Sequence, residues 1–168
     1  MLRLTEKLDE PVEAGATLTL PFGDRQKSRL RTRLDDGREA GLMLERGLVL
    51  RHGDCLRADD GTVVRVQAAP EAVSTAFSRD PLVVARACYH LGNRHVPLQI
   101  GDTWVRYLHD HVLDAMVEHL GLRVFAEHAP FEPEAGAYDG HSEGAPAHDH
   151  HEHHHGHGHP HHEQHNSA

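Results

Sequence analysis

The first seventy residues alternate between apolar and polar positions over short stretches. This two-residue period, typical of strands with one buried face, covers residues 2–8, 17–20 and 28–34. Residues 35–37 (DDG) follow the last of these stretches and suit a loop with positive φ, and residues 58–62 (ADDGT) are a hairpin signal between residues 54–57 and 63–66. Because no helical period is sustained here, the pattern predicts a small all-β unit that ends near Ala69-Pro70.

The pattern of apolar and polar positions changes after Pro70 and predicts helices as well as strands. Residues 71–77 are a possible strand, and Asp80-Pro81 is a strong helix start, because Asp caps the first turn and Pro lacks only an N–H that would be unpaired there. We expect this helix to reach Leu91, with Gly92-Asn93 as its left-handed terminator.

The rest of this region predicts two short strands, a helix and a last strand. The two strands cover residues 96–100 and 103–108, and the helix covers residues 110–120 and ends at Gly121. The helix carries an apolar stripe of Val112, Leu113, Met116, Val117 and Leu120. With a strand at residues 122–126, the order β-α-β-β-α-β is that of a ferredoxin-like domain, and the fold class is α+β.

Composition separates this body from a tail. Of the 19 histidines in the 168 residues, twelve lie between His141 and His165, and residues 129–168 hold seven acids and no Lys or Arg. The tail therefore carries most of the formal charge of −9. Because it offers little apolar surface to bury, we expect it to be disordered. The predicted domains are residues 1–70, 71–130 and 131–168.

Several classes of protein are disfavoured. No apolar run approaches the roughly 20 residues that cross a bilayer, and the N-terminus lacks the apolar centre of a secretory signal, so a cytoplasmic protein without membrane attachment is expected. Cys55 and Cys88 are far apart and form no C-x-x-C pair. Metal chemistry would therefore rest on imidazole and carboxylate.

The tail is predicted to bind metal ions. Imidazole is the commonest protein ligand for nickel, zinc and copper, and a mobile segment lets many ligand subsets meet one ion. Its histidines are interspersed with Gly, Asp and Glu, unlike an uninterrupted purification tag. The candidate ligands in the tail are His150, His151, His153, His154, His155, His157, His159, His161 and His162.

Histidines of the body are weaker candidates by position alone. His95 follows the expected helix terminator in an irregular hinge, where a ring can point outward from a rigid platform. His109 and His111 flank Asp110 and can share one ion if that segment is extended, but would diverge on a helix. His90 and His119 suit helix C-termini, and His52 and His128 receive no role.

A basic stripe indicates a possible partner surface. Arg25, Lys27, Arg29, Arg31 and Arg33 recur at every second residue, so a strand would project all five from one face. Such a stripe is more often a solvated or charge-protected strand face, and docking to an acidic protein is the next interpretation. Nucleic acid is not expected, because the chain is acidic and no aromatic residues interleave.

Two segments carry a family resemblance. Residues 89–100 (YHLGNRHVPLQI) and 107–113 (YLHDHVL) closely resemble the urease accessory protein E family, whose members deliver nickel. Similar segments occur in the first half at residues 25–29, 35–38, 53–54 and 58–61. The resemblance spans nearly all of residues 1–128, and a histidine-rich tail is a typical ending.

The resemblance implies a function as well as a fold. It implies a chaperone-like, peptide-binding N-terminal β domain, a ferredoxin-like metal-binding domain, and a homodimer in which His95 of both protomers holds an ion. His109 and His111 match a peripheral metal pair found in part of the family. The implied function is a non-enzymatic nickel metallochaperone that passes Ni²⁺ to an accessory GTPase and the urease apoprotein complex, with Zn²⁺ and Cu²⁺ also expected to bind.

Two other functions remain open at this point. A histidine-rich buffer or storage protein for nickel, zinc or copper would explain the tail without a delivery partner. A hydrolytic metalloenzyme is disfavoured, because no H-E-x-x-H helix or paired catalytic carboxylates accompany the ligands.

Overall fold

The structure, a computed structural model, describes residues 1–136 as a mixed α+β fold in which strands predominate. The strands in this part of the chain are β1 (Leu2–Lys7), β2 (Ala16–Leu20), β3 (Arg29–Arg33), β4 (Glu39–Met43), β5 (Cys55–Ala58), β6 (Val63–Ala68), β7 (Pro70–Phe77), β8 (Gln99–Ile100), β9 (Trp104–Leu108) and β10 (Arg123–Pro130). The helices are α1 (Phe22–Arg25), α2 (Pro81–Gly92) and α3 (His111–His119). The predicted tail ligands between His150 and His162 lie outside the described residues.

Strands β1 to β6 form one mixed sheet in the order β2-β6-β5-β1-β4-β3. The β3–β4 and β5–β6 pairs are antiparallel, and Gly37 and Gly61 take positive φ in the turns between them, as the turn sequences predicted. Strand β4 was not anticipated, because three consecutive residues, Ala40 to Leu42, are buried and no alternation marks it. Leucines dominate the core of this sheet, among them Leu4, Leu18, Leu42, Leu50 and Leu56.

Strands β7 to β10 form a second, antiparallel sheet in the order β10-β7-β9-β8, with α2 and α3 in the two crossovers. Both helix starts follow the sequence prediction. The carboxylate of Asp80, the residue before Pro81, accepts a hydrogen bond from the Leu82 N–H. The carboxylate of Asp110 accepts from the N–H groups of Val112 and Leu113. Helices and sheet share a core that includes Ala76, Val84, Ala87, Leu91, Val105, Tyr107 and Val117.

Three local predictions for this second sheet need correction. The strand expected at 96–100 is only Gln99–Ile100, because the backbone of Val96 turns back to bond Leu91. Strand β10 extends to Pro130, since β7 begins at Pro70 and the two pair over their full length. Val112, predicted as part of the apolar stripe, is 64% exposed on α3.

Side-chain packing and hydrogen bonds join the two sheets, and residues 1–134 form one compact unit. Phe22, Val73 and Phe131 form a small core between them, with the two phenyl rings edge to face at 5.5 Å. The Phe22 N–H donates to the Glu71 carboxylate at 2.8 Å. No helix in residues 1–136 is long and apolar enough to cross a membrane.

Candidate metal-binding site

His95 occupies a constrained turn at the end of α2. It is the one non-glycine residue within the described chain that takes a positive φ, at 57°. The His95 N–H bonds to the Gly92 carbonyl at 2.9 Å and the Val96 N–H to the Leu91 carbonyl at 3.2 Å. This pair of hydrogen bonds is the Schellman arrangement, in which the first of the two donor residues, here His95, takes a left-handed conformation.

The predicted terminator was therefore misplaced. Gly92 remains helical and Asn93 has a right-handed φ of −62°, because the two closing bonds put the left-handed position on His95. Val96 packs against the core that contains Leu91, so the turn is fixed from inside while the His95 side chain is exposed. This makes His95 an outward-facing imidazole on a rigid support, as the sequence predicted.

Exposed apolar side chains lie on the helix that leads to His95. Tyr89 is 65% exposed and Leu82 is 56% exposed, and they are seven residues apart on α2, which places them on one side of the helix. His90 is half-buried, with its ring edge-on to Tyr89 at 5.3 Å. Of these two side chains, Tyr89 is the one in the turn of α2 that precedes His95.

The chain that follows β10 runs back to the segment after His95. The Glu132 N–H donates to the Gln99 side-chain carbonyl at 3.1 Å, and the Glu134 N–H donates to the Leu98 carbonyl at 2.6 Å. On the other side, the Arg51 guanidinium donates to the Pro133 carbonyl. The last residues before the histidine-rich tail are therefore bonded to Leu98 and Gln99, which follow His95 by three and four residues.

His109 and His111 occupy different environments. His109 directly precedes the capping residue of α3, and its Nδ1 lies 2.9 Å from Ser74 Oγ and 3.2 Å from Asp114 Oδ2. His111 is the first residue of α3 and is exposed. Between them, hydrogen bonds from the backbone N–H groups of Leu113 and Val112 lower the pKa of Asp110. His109 is the better oriented of the two, because its ring has fixed partners.

Thiolate ligation finds no support in the body. Cys55 is buried, and burial raises the pKa of the half-buried Cys88 thiol, which disfavours the thiolate that binds metals. Among residues 1–136, no three histidine, cysteine or acidic side chains gather into a metal-ligating group. A complete metal shell at His95 therefore needs ligands from the tail, from water or from a second chain.

The basic stripe is shorter than the sequence predicted. Arg29, Arg31 and Arg33 are exposed on β3, and the last two approach Glu39 at 3.4 and 3.1 Å. Lys27 precedes the strand and pairs with Asp24 at 2.7 Å.

Arg25 does not belong to this surface at all. It ends the short helix α1 and is fully buried, because α1 turns its side chain inward. Its guanidinium donates to the carbonyls of Leu20, Leu50 and Phe131 and pairs with Glu132. The prediction that Arg25 contacts a partner is wrong.

One further histidine gains a neighbour that the sequence did not reveal. His128 on β10 pairs in register with Ala72, and the His109 N–H bonds to the carbonyl of the same residue at 3.0 Å. Only the strand order β10-β7-β9 could have shown this, because the two histidines are far apart in sequence. His52 has a structural role, with its Nδ1 accepting from the Ala68 N–H at 3.2 Å.

Comparisons with known proteins agree with the resemblance. The model of the UreE urease accessory protein C-terminal domain matches residues 63–163, and that of the N-terminal domain matches residues 3–69. The urease accessory protein UreE of Alkalilimnicola ehrlichii is 68% identical over 140 residues, which cover 83% of this chain and 86% of the relative. That of Pseudomonas putida strain W619 is 63% identical over 139 residues, covering 82% and 86%.

A third relative is matched along nearly all of its length. The urease accessory protein UreE of Enterobacter sp. strain 638 is 57% identical over 145 residues, which cover 84% of this chain and 95% of the relative. The family consists of accessory chaperones and not of enzymes, which confirms the prediction that this protein is not an enzyme. With both domain models matched and identities of this size, the chain belongs to the UreE family of urease accessory proteins.

Proposed function

We propose that this protein is a nickel metallochaperone that gathers Ni²⁺ with its histidine-rich tail, holds it at His95 and delivers it to urease during assembly of the urease metal centre. The observation that carries the proposal is the geometry around His95. An exposed imidazole sits on a fixed left-handed turn, and the chain leading to the tail is bonded to Leu98 close by. The relatives of this chain are urease accessory proteins, which supports urease as the destination.

A transfer of nickel from tail to body is sterically reasonable. Leu98 is three residues from His95, a span of at most about 11 Å. His141, the first tail histidine, follows Glu134 by seven residues, which is at most about 25 Å of extended chain. Imidazole ligands exchange more readily than a closed thiolate cage, and delivery requires that exchange.

We propose that the His95 site is completed in a homodimer. Two-fold symmetry brings two copies of one residue together at the axis, which turns a single exposed imidazole into a pair of ligands. The exposed Tyr89, in the last turn of α2 before His95, offers apolar surface for such a contact, and Leu82 lies two turns earlier on the same side of the helix. Ligands from the tail histidines would fill the remaining coordination positions.

The remaining parts of the chain take the roles that the family resemblance suggests. We propose an N-terminal β domain at residues 1–70, a ferredoxin-like domain that starts at residue 71 and a metal-gathering tail. The tail begins after Glu134 and not at the predicted residue 131, because Phe131 is fully buried and Glu134 bonds to Leu98. The antiparallel order β10-β7-β9-β8, with a helix in each crossover, supports the ferredoxin-like assignment. A cytoplasmic location fits nickel delivery to a GTPase and to urease apoprotein.

The proposal also covers the binding of other metal ions, a peripheral histidine site and a docking face on β3. Zn²⁺ and Cu²⁺ would compete for the same imidazoles, since nitrogen sites accept all three ions. The resemblance implies a peripheral site at His109 and His111, but His111 begins α3 beyond the capping Asp110, and Nδ1 of His109 faces Ser74 and Asp114. Arg29, Arg31 and Arg33 remain a candidate docking face for an acidic partner, tested by pull-down with Arg29→Glu combined with Arg31→Glu.

Nickel-dependent association with the accessory GTPase tests the proposal. Size-exclusion chromatography of the full chain mixed with that GTPase should show a complex that requires Ni²⁺. His119→Ala, which removes an exposed histidine from the last position of α3, should form the complex normally. His95→Gly, which suits the left-handed backbone and removes only the ring, should lose it.

The outcomes separate the two candidate functions. A full chain that binds nickel but never associates with the GTPase would favour a metal buffer over a delivery protein. A His95→Gly protein that forms the nickel-dependent complex as well as the wild type would show that His95 is not the delivery ligand.

A further inference from the structure

The second sheet brings two histidines onto one face, on either side of a small residue. Ala72 of β7 pairs with His128 of β10, and its carbonyl accepts from the N–H of His109 at the end of β9. Residues directly opposite each other on antiparallel strands point to the same face of the sheet. His109, Ala72 and His128 therefore form a row across three neighbouring strands.

The row has the right spacing for one ion between two rings. Neighbouring strands lie about 4.8 Å apart, so the backbones of His109 and His128 are separated by about 9.6 Å. Two imidazoles, each with a metal–nitrogen bond of about 2.0–2.1 Å, fill such a gap. His109 and His128 both line a cavity of about 200 Å³ together with Ala72 and Ala126, whose methyl side chains occupy little space.

The orientation of the His109 ring favours coordination. Its Nδ1 lies between Ser74 Oγ and Asp114 Oδ2, so a proton on Nδ1 has an acceptor and Nε2 keeps its lone pair for an ion. Metal-bound histidines usually have this arrangement, with the second ring nitrogen bonded to a carboxylate. Asp114 is itself fixed, because the buried Tyr107 hydroxyl donates to its other oxygen at 2.8 Å.

We propose that His109 and His128 form a two-histidine site for a divalent transition-metal ion, with Asp114 as the residue that positions His109. The site pairs His109 with His128 and does not use His111, which begins α3 beyond the capping Asp110. Water completes the shell. Because β10 continues into residues 131–134, the site lies on the strand that leads to the tail, and it does not depend on His95 or on delivery.

Residue-resolved chemical modification of the full chain tests this pair. Diethyl pyrocarbonate modifies unligated imidazoles, and cleavage at Glu127 and Glu132 isolates His128 on its own peptide for mass spectrometry. Ni²⁺ added beyond the capacity of the tail should slow modification of His109 and His128 several-fold and together, reversibly with EDTA. His119, at the last position of α3, serves as the internal control.

Variants separate this pair from its alternatives. His128→Ala should abolish the protection of His109, and Ala72→Val should do the same by filling the gap while both rings remain. His111→Ala and His95→Gly should leave the protection of His109 and His128 intact, so failure here is distinguishable from failure of the delivery role. Protection of His109 that survives His128→Ala, that disappears with His111→Ala, or that never appears would overturn the proposal.

Discussion

At the scale of single residues, His95 combines a backbone constraint with chemical exposure. A left-handed φ costs a residue with a side chain about 1 kcal/mol, and glycine avoids that cost. The structure nevertheless has histidine at this position, with φ at 57° and the ring in solvent. Strain held at an exposed, metal-competent side chain is typical of a functional position.

This constraint predicts an unusual order of stabilities. His95→Gly should be more stable than His95→Ala by about 1 kcal/mol, because alanine keeps the strain and glycine removes it. Urea unfolding of the two metal-free proteins measures the difference. Equal midpoints for the two variants would show that the turn is not left-handed in solution.

Tyr107 is a second residue with a measurable signature. Burial, then its hydrogen bond to Asp114, raises the pKa of the phenol well above its usual value. The folded state therefore favours the neutral phenol. The contribution of Tyr107 to the free energy of unfolding is fully present below the phenol pKa of the unfolded chain, about 10, and decreases as the pH rises above that value.

Tyr107→Phe should consequently destabilise the protein by about 1 kcal/mol at pH 7, since Asp114 loses a donor. Above about pH 10 the advantage of the wild type should shrink, because phenylalanine cannot ionise. Urea unfolding at both pH values provides the comparison, with the 65% exposed Tyr89 replaced by Phe as the control. A wild-type advantage that is constant with pH would contradict the assignment.

At the scale of elements, the segment after β10 connects parts that are distant in sequence. Phe131 packs on Phe22, Pro133 accepts from Arg51, and Glu134 bonds to Leu98. Arg25 of α1 is the centre of this arrangement, because it bonds to Phe131 and Glu132 from a fully buried position. The segment is thereby fixed between the first sheet and the strand that follows His95.

Loss of the Arg25 guanidinium should be costly. Arg25→Met leaves three carbonyls and the Glu132 carboxylate without their donor, and removal of one partner from a buried ionic network typically costs about 3–5 kcal/mol. Arg29→Met, on the exposed face of β3, should change the free energy of unfolding by less than about 0.5 kcal/mol. Chemical denaturation measures the loss of unfolding free energy in each variant. Similar losses for Arg25→Met and Arg29→Met would disprove the central role of Arg25.

At the scale of the whole molecule, the described body and the tail have separate tasks in the proposed function. All three buried clusters lie between Leu4 and Phe131. Most of the histidines lie beyond that range. The body therefore sets the fold and the position of His95, and the number of tail histidines sets the capacity for metal.

Removal of the tail after Gly136 tests that separation. We expect the truncated protein to keep its free energy of unfolding and its oligomeric state, because the bonds of Glu132 and Glu134 are retained. Its nickel stoichiometry in equilibrium dialysis should fall sharply, since the twelve histidines between His141 and His165 are removed. A truncated chain that loses its folded structure or still binds as much nickel would refute the separation.

Local signals in the sequence predicted most elements but not how distant segments meet. The cap at Asp80 and the turns at Gly37 and Gly61 follow from short-range chemistry, and the structure confirms them. Arg25 was misassigned because a two-residue period cannot distinguish a strand from a four-residue helix that precedes one. The His109–His128 row was invisible because it depends on strand order.

The most direct test of nickel delivery by His95 is activation of urease apoprotein at limiting nickel, with the other accessory proteins present. Full-length His95→Gly should activate far less urease than the wild type, while His119→Ala should match the wild type, and excess nickel should remove the difference. Equal activation by His95→Gly and the wild type at limiting nickel would contradict the account.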